Sequence, residues 1–169
     1  MTEGARAGQA SVARTLTIAA AVDHAIRAHG QQTYPHECCG ALLGTEDRVT
    51  DLVALPNTTE EGPRRRFLVR PADYRQAERR ASELGVELLG FYHSHPDHPA
   101  RPSQYDLDHA WPNFAYVIVA VAEGVARDMT VWYLKEDRSS FEEGDLNVDE
   151  NPDSDSASAV HGQERRGRG

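Results

Sequence analysis

The chain has 169 residues, one domain's worth, and a net charge of −9 from 18 basic and 27 acidic side chains; residues 142–169 alone hold eight acids and three arginines. A mildly acidic body whose only basic cluster is 64-RRR-66 excludes a binder that works by replacing counterions on nucleic acid, and no apolar run is long enough for a signal sequence or a membrane span, so a cytoplasmic protein with no nucleic-acid or membrane partner is expected. The two cysteines, Cys38 and Cys39, are neighbours and cannot staple distant parts of a fold, which excludes a disulfide framework and fits a reducing compartment.

Residues 1–14 are small and polar and read as a flexible N-terminal arm. In 19-AAAVDHAIRAHG-30, Ala19, Val22 and Ile26 fall at helical spacing and Gly30 reads as a stop. Strands are predicted for 38-CCGALLG-44, for 49-VTDLVAL-55 ended by Pro56-Asn57, and for 66-RFLVR-70 stopped by Pro71. The clearest helix is 71-PADYRQAERRASELG-85, with Pro71 at its start, Tyr74, Ala77, Ala81 and Leu84 on one face, and Gly85 closing it. Strand character returns in 86-VELLGFYHSH-95, and a short helix is predicted from Ser103. The run 115-AYVIVAVA-122 is apolar on both faces, as a central strand would be; 129-MTVWYLK-135 and a weaker segment near Phe141 follow. Residues 149–169 hold Val160 as their only large aliphatic side chain and cannot offset the entropy of ordering, so a disordered acidic and polar tail is expected. The folded body is therefore placed at 15–148. Its fold class is α/β (α+β), a mixed β-sheet flanked by helices.

His93 and His95 stand one residue apart at the end of a predicted strand, where alternate side chains share a face and two imidazoles can reach one ion. Imidazole and carboxylate suit zinc, and a catalytic zinc site takes three protein ligands and leaves a fourth position for water. Taken alone the pair is a weak signal in a chain with eight histidines. Downstream, 102-PSQYD-106 has the form of a helix start with Ser103 as cap and Asp106 three residues on, which by itself is only a capping box. A rigid helix start can also hold a hydroxyl and a carboxylate over a strand end.

Together the segment 93-HSHPDHPARPSQYD-106 resembles the motif of the JAMM (MPN-plus) metalloprotease family: His-Ser-His-Pro, six residues, then Ser-x-x-Asp. The upstream stretch 35-PHECCGALLG-44 resembles the family's glutamate-bearing segment and places that glutamate at Glu37. The resemblance covers roughly residues 16–148 and implies an MPN/JAMM, cytidine deaminase-like fold. It implies that His93, His95 and Asp106 ligate one Zn2+ with water as the fourth ligand. The ion would lower that water's pKa from about 16 to roughly 7. It implies that Glu37 takes the water's proton and passes it to the leaving amine, and that Ser103 donates to the oxyanion. Glu37 is selected among the 27 acids by the resemblance alone. Ser94, between the ligands, is expected to face the other way as a structural residue. Asp97, His98, Asp108 and His109 match no family ligand and read as solvated surface, with His98 close enough to touch substrate.

Members of that family cleave at the C-terminus of ubiquitin or ubiquitin-like proteins. The compact chain resembles the short stand-alone prokaryotic type, similar to sulfur-carrier-protein/cysteine peptidases and archaeal isopeptidases. The implied activity is hydrolysis of the amide bond after the C-terminal di-glycine of a ubiquitin-like sulfur carrier protein, releasing cysteine, a short extension or a conjugated protein. Two other classes stand against it. A non-catalytic MPN scaffold usually lacks some of the five positions, all of which are present here. A DNA-repair-associated family with a related motif has Asn where this chain has Ser94, and a glycine in a loop that here has none. The zinc-protease pattern His-Glu-x-x-His is absent, since Gly40 stands where its second histidine would be. Cys39 is expected to be small core packing, and the role of Cys38 is open, as is that of the 64–66 arginine run.

Overall fold

The computed structural model describes residues 13–57 and 69–150. Eight strands and three helices follow one another as β1 (Thr15–Ala19), α1 (Ala20–Thr33), β2 (Cys39–Thr45), β3 (Arg48–Leu55), α2 (Pro71–Leu84), β4 (Glu87–Pro96), α3 (Gln104–Asp108), β5 (Ala115–Ala122), β6 (Val125–Leu134), β7 (Phe141–Glu143) and β8 (Asp145–Asp149). The strands form one mixed sheet in the order β7-β6-β5-β4-β2-β3-β1-β8. The pairs β4–β5, β1–β3 and β1–β8 are parallel; the others are antiparallel. A mixed sheet with flanking helices is thus the architecture, as the segment pattern predicts. Among the described residues, no helix is long and apolar enough to cross a membrane.

The two faces of the sheet carry separate cores. On one, Val22 and Ile26 of α1 pack with Ile18, Leu42, Val49, Tyr92, Val117, Val119 and Val131. On the other, Ala77 of α2 packs with Ala41, Leu55, Phe91 and Tyr116. Strand β5 is buried along seven of its eight residues, which accounts for its unbroken apolar run. The sheet curls so that its edges meet near Gly144, between β7 and β8. The Gly144 N–H donates to Val131 O of β6, and the Asp145 N–H donates to Arg14 O just before β1. A Cβ at Gly144 would lie 2.6 Å from Arg14 O and 2.7 Å from the Tyr133 ring, so the closure requires glycine there.

Several predicted boundaries need correction. Helix α1 runs three residues past Gly30. That glycine is buried, and a Cβ there would stand 3.0 Å from Val121, so it lets the helix approach β5 rather than ending it. Helix α2 does stop at Gly85, which adopts a left-handed φ of 70°. Its buried residues are Asp73, Ala77 and Ala81, whereas Leu84, expected on the apolar face, is 38% exposed. Of the strand predicted over 66–70, residues 66–68 lie outside the described residues; Val69 and Arg70 are not in a strand, and Arg70 is the N-cap of α2. Strands β1 and β8 are too short and polar to stand out in the sequence; β1 pairs with both β3 and β8, and β8 with β1. Strand β6 starts at Val125 rather than 129. The 64–66 arginines, residues 1–12 of the predicted arm and 151–169 of the predicted tail lie outside the described residues; β8 includes Asp149, whose carboxylate pairs with Arg48.

Candidate metal centre

Strand β4 alternates its side chains as the period of two requires. Phe91 faces the α2 core and Tyr92 the α1 core. The same alternation puts His93 and His95 on the α2 side of the sheet and Ser94 on the other. Ser94 is fully buried, and its Oγ accepts the Cys38 N–H at 2.8 Å. It is the structural residue the sequence predicts. The β2–β4 ladder sets Cys39 opposite His93, so the 36-HECCG-40 segment lies beside 93-HSH-95. Glu37, at the approach to β2, is 4% exposed. Asn57, just after β3, donates its amide to the Glu37 carbonyl at 3.0 Å and fixes that backbone.

Asp106 arrives on the first turn of α3. The capping box is real: the Asp106 N–H donates to Ser103 Oγ at 3.1 Å, and the Ser103 N–H donates to Asp106 Oδ2 at 2.8 Å. That oxygen also lies 3.3 Å from His93 Nε2 and 3.3 Å from His95 Nε2, which are themselves 3.0 Å apart. Donor atoms about 2.0 Å from a tetrahedral zinc ion stand roughly 3.3 Å from one another, so this triangle has the dimensions of three zinc ligands. His95 Nδ1 faces the Pro99 carbonyl at 2.8 Å, which puts the ring proton on Nδ1 and the lone pair on Nε2. Burial lowers the pKa of His93, with Asp106 pulling the other way. Burial alone would raise the Asp106 carboxyl, but the His93 and His95 rings and the Ser103 N–H outweigh it and hold the group well below the usual carboxylate range. Neutral imidazoles and an ionised carboxylate are the forms that bind a divalent ion.

A cavity of about 390 Å³ adjoins the triangle at His95, lined by Glu37, His95, His98, Pro99, Arg101 and Ser103. All five residues singled out in the sequence therefore converge: three as a donor triangle, Glu37 and Ser103 on the wall of the cavity beside it. The Ser103 hydroxyl already accepts the Asp106 N–H, so its own proton remains available for an incoming oxygen.

The family model for prokaryotic homologues of the JAB domain matches residues 19–135. This chain belongs to the prokaryotic JAB family. Among its curated relatives, the desampylase of Haloferax volcanii is 33% identical over 110 residues, covering 61% of this chain and 78% of that protein. A probable TtuB-protein conjugate cleaving protease of Thermus thermophilus is 35% identical over 92 residues, covering 54% of this chain and 61% of that one. The solution structure of a protein from Salinibacter ruber has 41% identity and a TM-score of 0.64, covering 81% of this chain and 94% of that one. The crystal structure of a JAB1/MPN domain protein from Archaeoglobus fulgidus matches at 21% identity and a TM-score of 0.55, over 80% and 98% of the two chains, and shows the shared fold.

Other residues of the motif region have structural partners. Asp97, at a left-handed φ of 56°, accepts Tyr34 Oη–H at 2.7 Å and the Glu123 N–H at 2.9 Å, tying the motif loop to its neighbours. Asp108 accepts the Gln104 amide, and His109 stacks on Tyr105. Cys39 and Cys38 are free thiols buried on opposite faces of the sheet, and neither belongs to the donor triangle. The Pro99 carbonyl and Asn57 are the site features that the sequence does not announce. A backbone acceptor has no residue-type signal, and Asn57 reads only as a turn residue after β3.

Proposed function

We propose that this protein is a zinc-dependent peptidase or isopeptidase that hydrolyses the amide bond after the C-terminal di-glycine of a ubiquitin-like sulfur carrier protein. The observation that carries the proposal is the triangle of His93 Nε2, His95 Nε2 and Asp106 Oδ2, whose His95 lines a cavity together with Glu37 and Ser103. The names of two relatives, a desampylase in Haloferax and a probable TtuB-protein conjugate cleaving protease in Thermus, support the substrate class.

His93, His95 and Asp106 would hold the ion, which supplies Lewis acidity and makes water ionisable near neutral pH. Glu37 takes a proton as water oxygen adds to the glycine carbonyl. Ser103 Oγ–H donates to the oxygen on which charge develops. The carbon–nitrogen bond then breaks, and Glu37 returns the proton to the departing amine, so the carboxylate is regenerated with each turnover. Two glycines before the bond leave no side chain to obstruct the approach to the cavity.

The test is incubation of the zinc-loaded protein with a panel of di-glycine-tailed carriers bearing C-terminal extensions or lysine-linked proteins. Cleavage after the second glycine that stops with a chelator and returns with zinc is the expected result. No metal-dependent cleavage across the panel would sink the reading. Metal analysis of the purified protein separates it from a scaffold role, for which stoichiometric zinc is not expected.

A further inference from the structure

Among the described residues that line the cavity holding Glu37 and Ser103, Arg101 is the one permanent cation. It is exposed, two residues before the Ser103 hydroxyl, and among the described residues its guanidinium makes no hydrogen bond or ion pair, unlike Arg27, Arg48 and Arg70, each of which meets an aspartate. Its loop is held in place: Arg101 N–H donates to Pro99 O at 2.8 Å, and Thr130 Oγ1 donates to Ala100 O at 2.7 Å, with Trp132 Nε1 donating to that hydroxyl in turn. The cation is therefore presented from a braced backbone on the wall of the cavity that also holds Glu37, His95 and Ser103.

If the bond cleaved follows two glycines, as proposed above, the carrier side offers a cation nothing to pair with for two residues. The charge nearest the bond must then belong to the leaving group. A single-residue leaving group carries its α-carboxylate about one residue, or roughly 3.8 Å, beyond the reacting centre, within reach of an arginine side chain rooted beside it. A lysine side chain in an isopeptide bond carries no carboxylate there. Planar guanidinium pairs with carboxylate through two parallel hydrogen bonds, which an ammonium does not match.

We propose that Arg101 is a specificity residue that binds the free α-carboxylate of the leaving group, so that the preferred reaction is removal of a single C-terminal amino acid from a di-glycine-tailed carrier. This rests on the function proposed above.

The test uses one carrier from that panel, extended by a single alanine either as the free acid or as the C-terminal amide, together with the same carrier linked to a lysine side chain. The wild-type protein is expected to cleave the acid faster than the amide by about tenfold or more, the factor of one charge-assisted hydrogen bond. In Arg101→Ala the acid-to-amide ratio should fall towards one, in Arg101→Lys it should be intermediate, and in Arg101→Glu it should invert. Zinc content, measured on each variant, guards against a folding artefact. Equal rates on acid and amide in the wild type, or a ratio unchanged in Arg101→Ala, would overturn the assignment while leaving the peptidase reading intact. So would cleavage of the lysine-linked substrate alone. Failure to cleave all three would overturn the peptidase reading and this one with it.

Discussion

At His95, both ring nitrogens are committed, Nδ1 to the Pro99 carbonyl and Nε2 to the donor triangle. Removing that ring deletes a donor outright, so His95→Ala is expected to purify without stoichiometric zinc, as measured by inductively coupled plasma mass spectrometry. Glu37 contributes no atom to the triangle. Glu37→Gln should therefore keep its zinc and lose turnover by several orders of magnitude; full activity in that variant would show that the proton carrier is another group. Ser103 caps α3, and the proposed function adds an oxyanion role that a variant can separate from the cap. As the cap of α3 its loss should cost about 1 kcal/mol of stability, visible in Tm. As an oxyanion donor its loss should lower kcat by about 100- to 1,000-fold, far more than the cap accounts for. Ser103→Ala with a shifted Tm and normal kcat would leave only the capping role. These five residues were legible in the sequence because their spacing matched a family pattern. The Pro99 carbonyl and the Asn57 side-chain amide were not, because a backbone carbonyl is common to every residue and an asparagine after a strand reads only as a turn residue.

Among the elements, the antiparallel pair β2–β4 does most to build the site, because its register sets Cys39 opposite His93. A slip of one residue would turn the histidines to the α1 face. Gly40, opposite Tyr92 in that ladder, has no room for a side chain, since a Cβ there would overlap the Tyr92 ring. The ring is itself held, with Tyr92 Oη 2.8 Å from His29 Nδ1 of α1. Gly40→Ala is expected to lower stability by about 1–3 kcal/mol, read by denaturant titration, and to weaken zinc retention because the displaced neighbour precedes His93. Periodicity was sufficient to recognise α2, β4 and β5, whose burial patterns are regular. It misread Gly30 as a stop, since a glycine needed for close packing looks the same in sequence as one that ends a helix. It passed over β1 and β8, which pair with each other across 130 residues of chain, with β1 also paired to β3, beyond any local signal.

Over the whole molecule, the curled sheet buries Cys38 and Cys39 on its two faces. Burial pushes the Cys38 thiol up from 9.0 to about 11, and burial with the neighbouring Cys38, Asp73 and Glu37 charges pushes Cys39 to about 12. Both groups are thus more protonated in the folded than in the unfolded chain between those values. Their contribution to stability is fully present below about pH 9 and is lost as pH rises through about 11 to 12. Thermal melts should show Tm falling over that alkaline range. At pH 8 the native protein should resist iodoacetamide, with both thiols labelled after denaturation. The sequence by itself determined the class of fold and the family, and it singled out the five residues that the fold brings together, because residue type, spacing and the family pattern carry that information. Only the tertiary structure decided the rest. It brought Glu37 to His95 across more than fifty residues, oriented His95 through a carbonyl, and placed Arg101 in the lining of the cavity. Strand register, sheet curvature and the direction of backbone groups are set by contacts between distant segments, which no local pattern records.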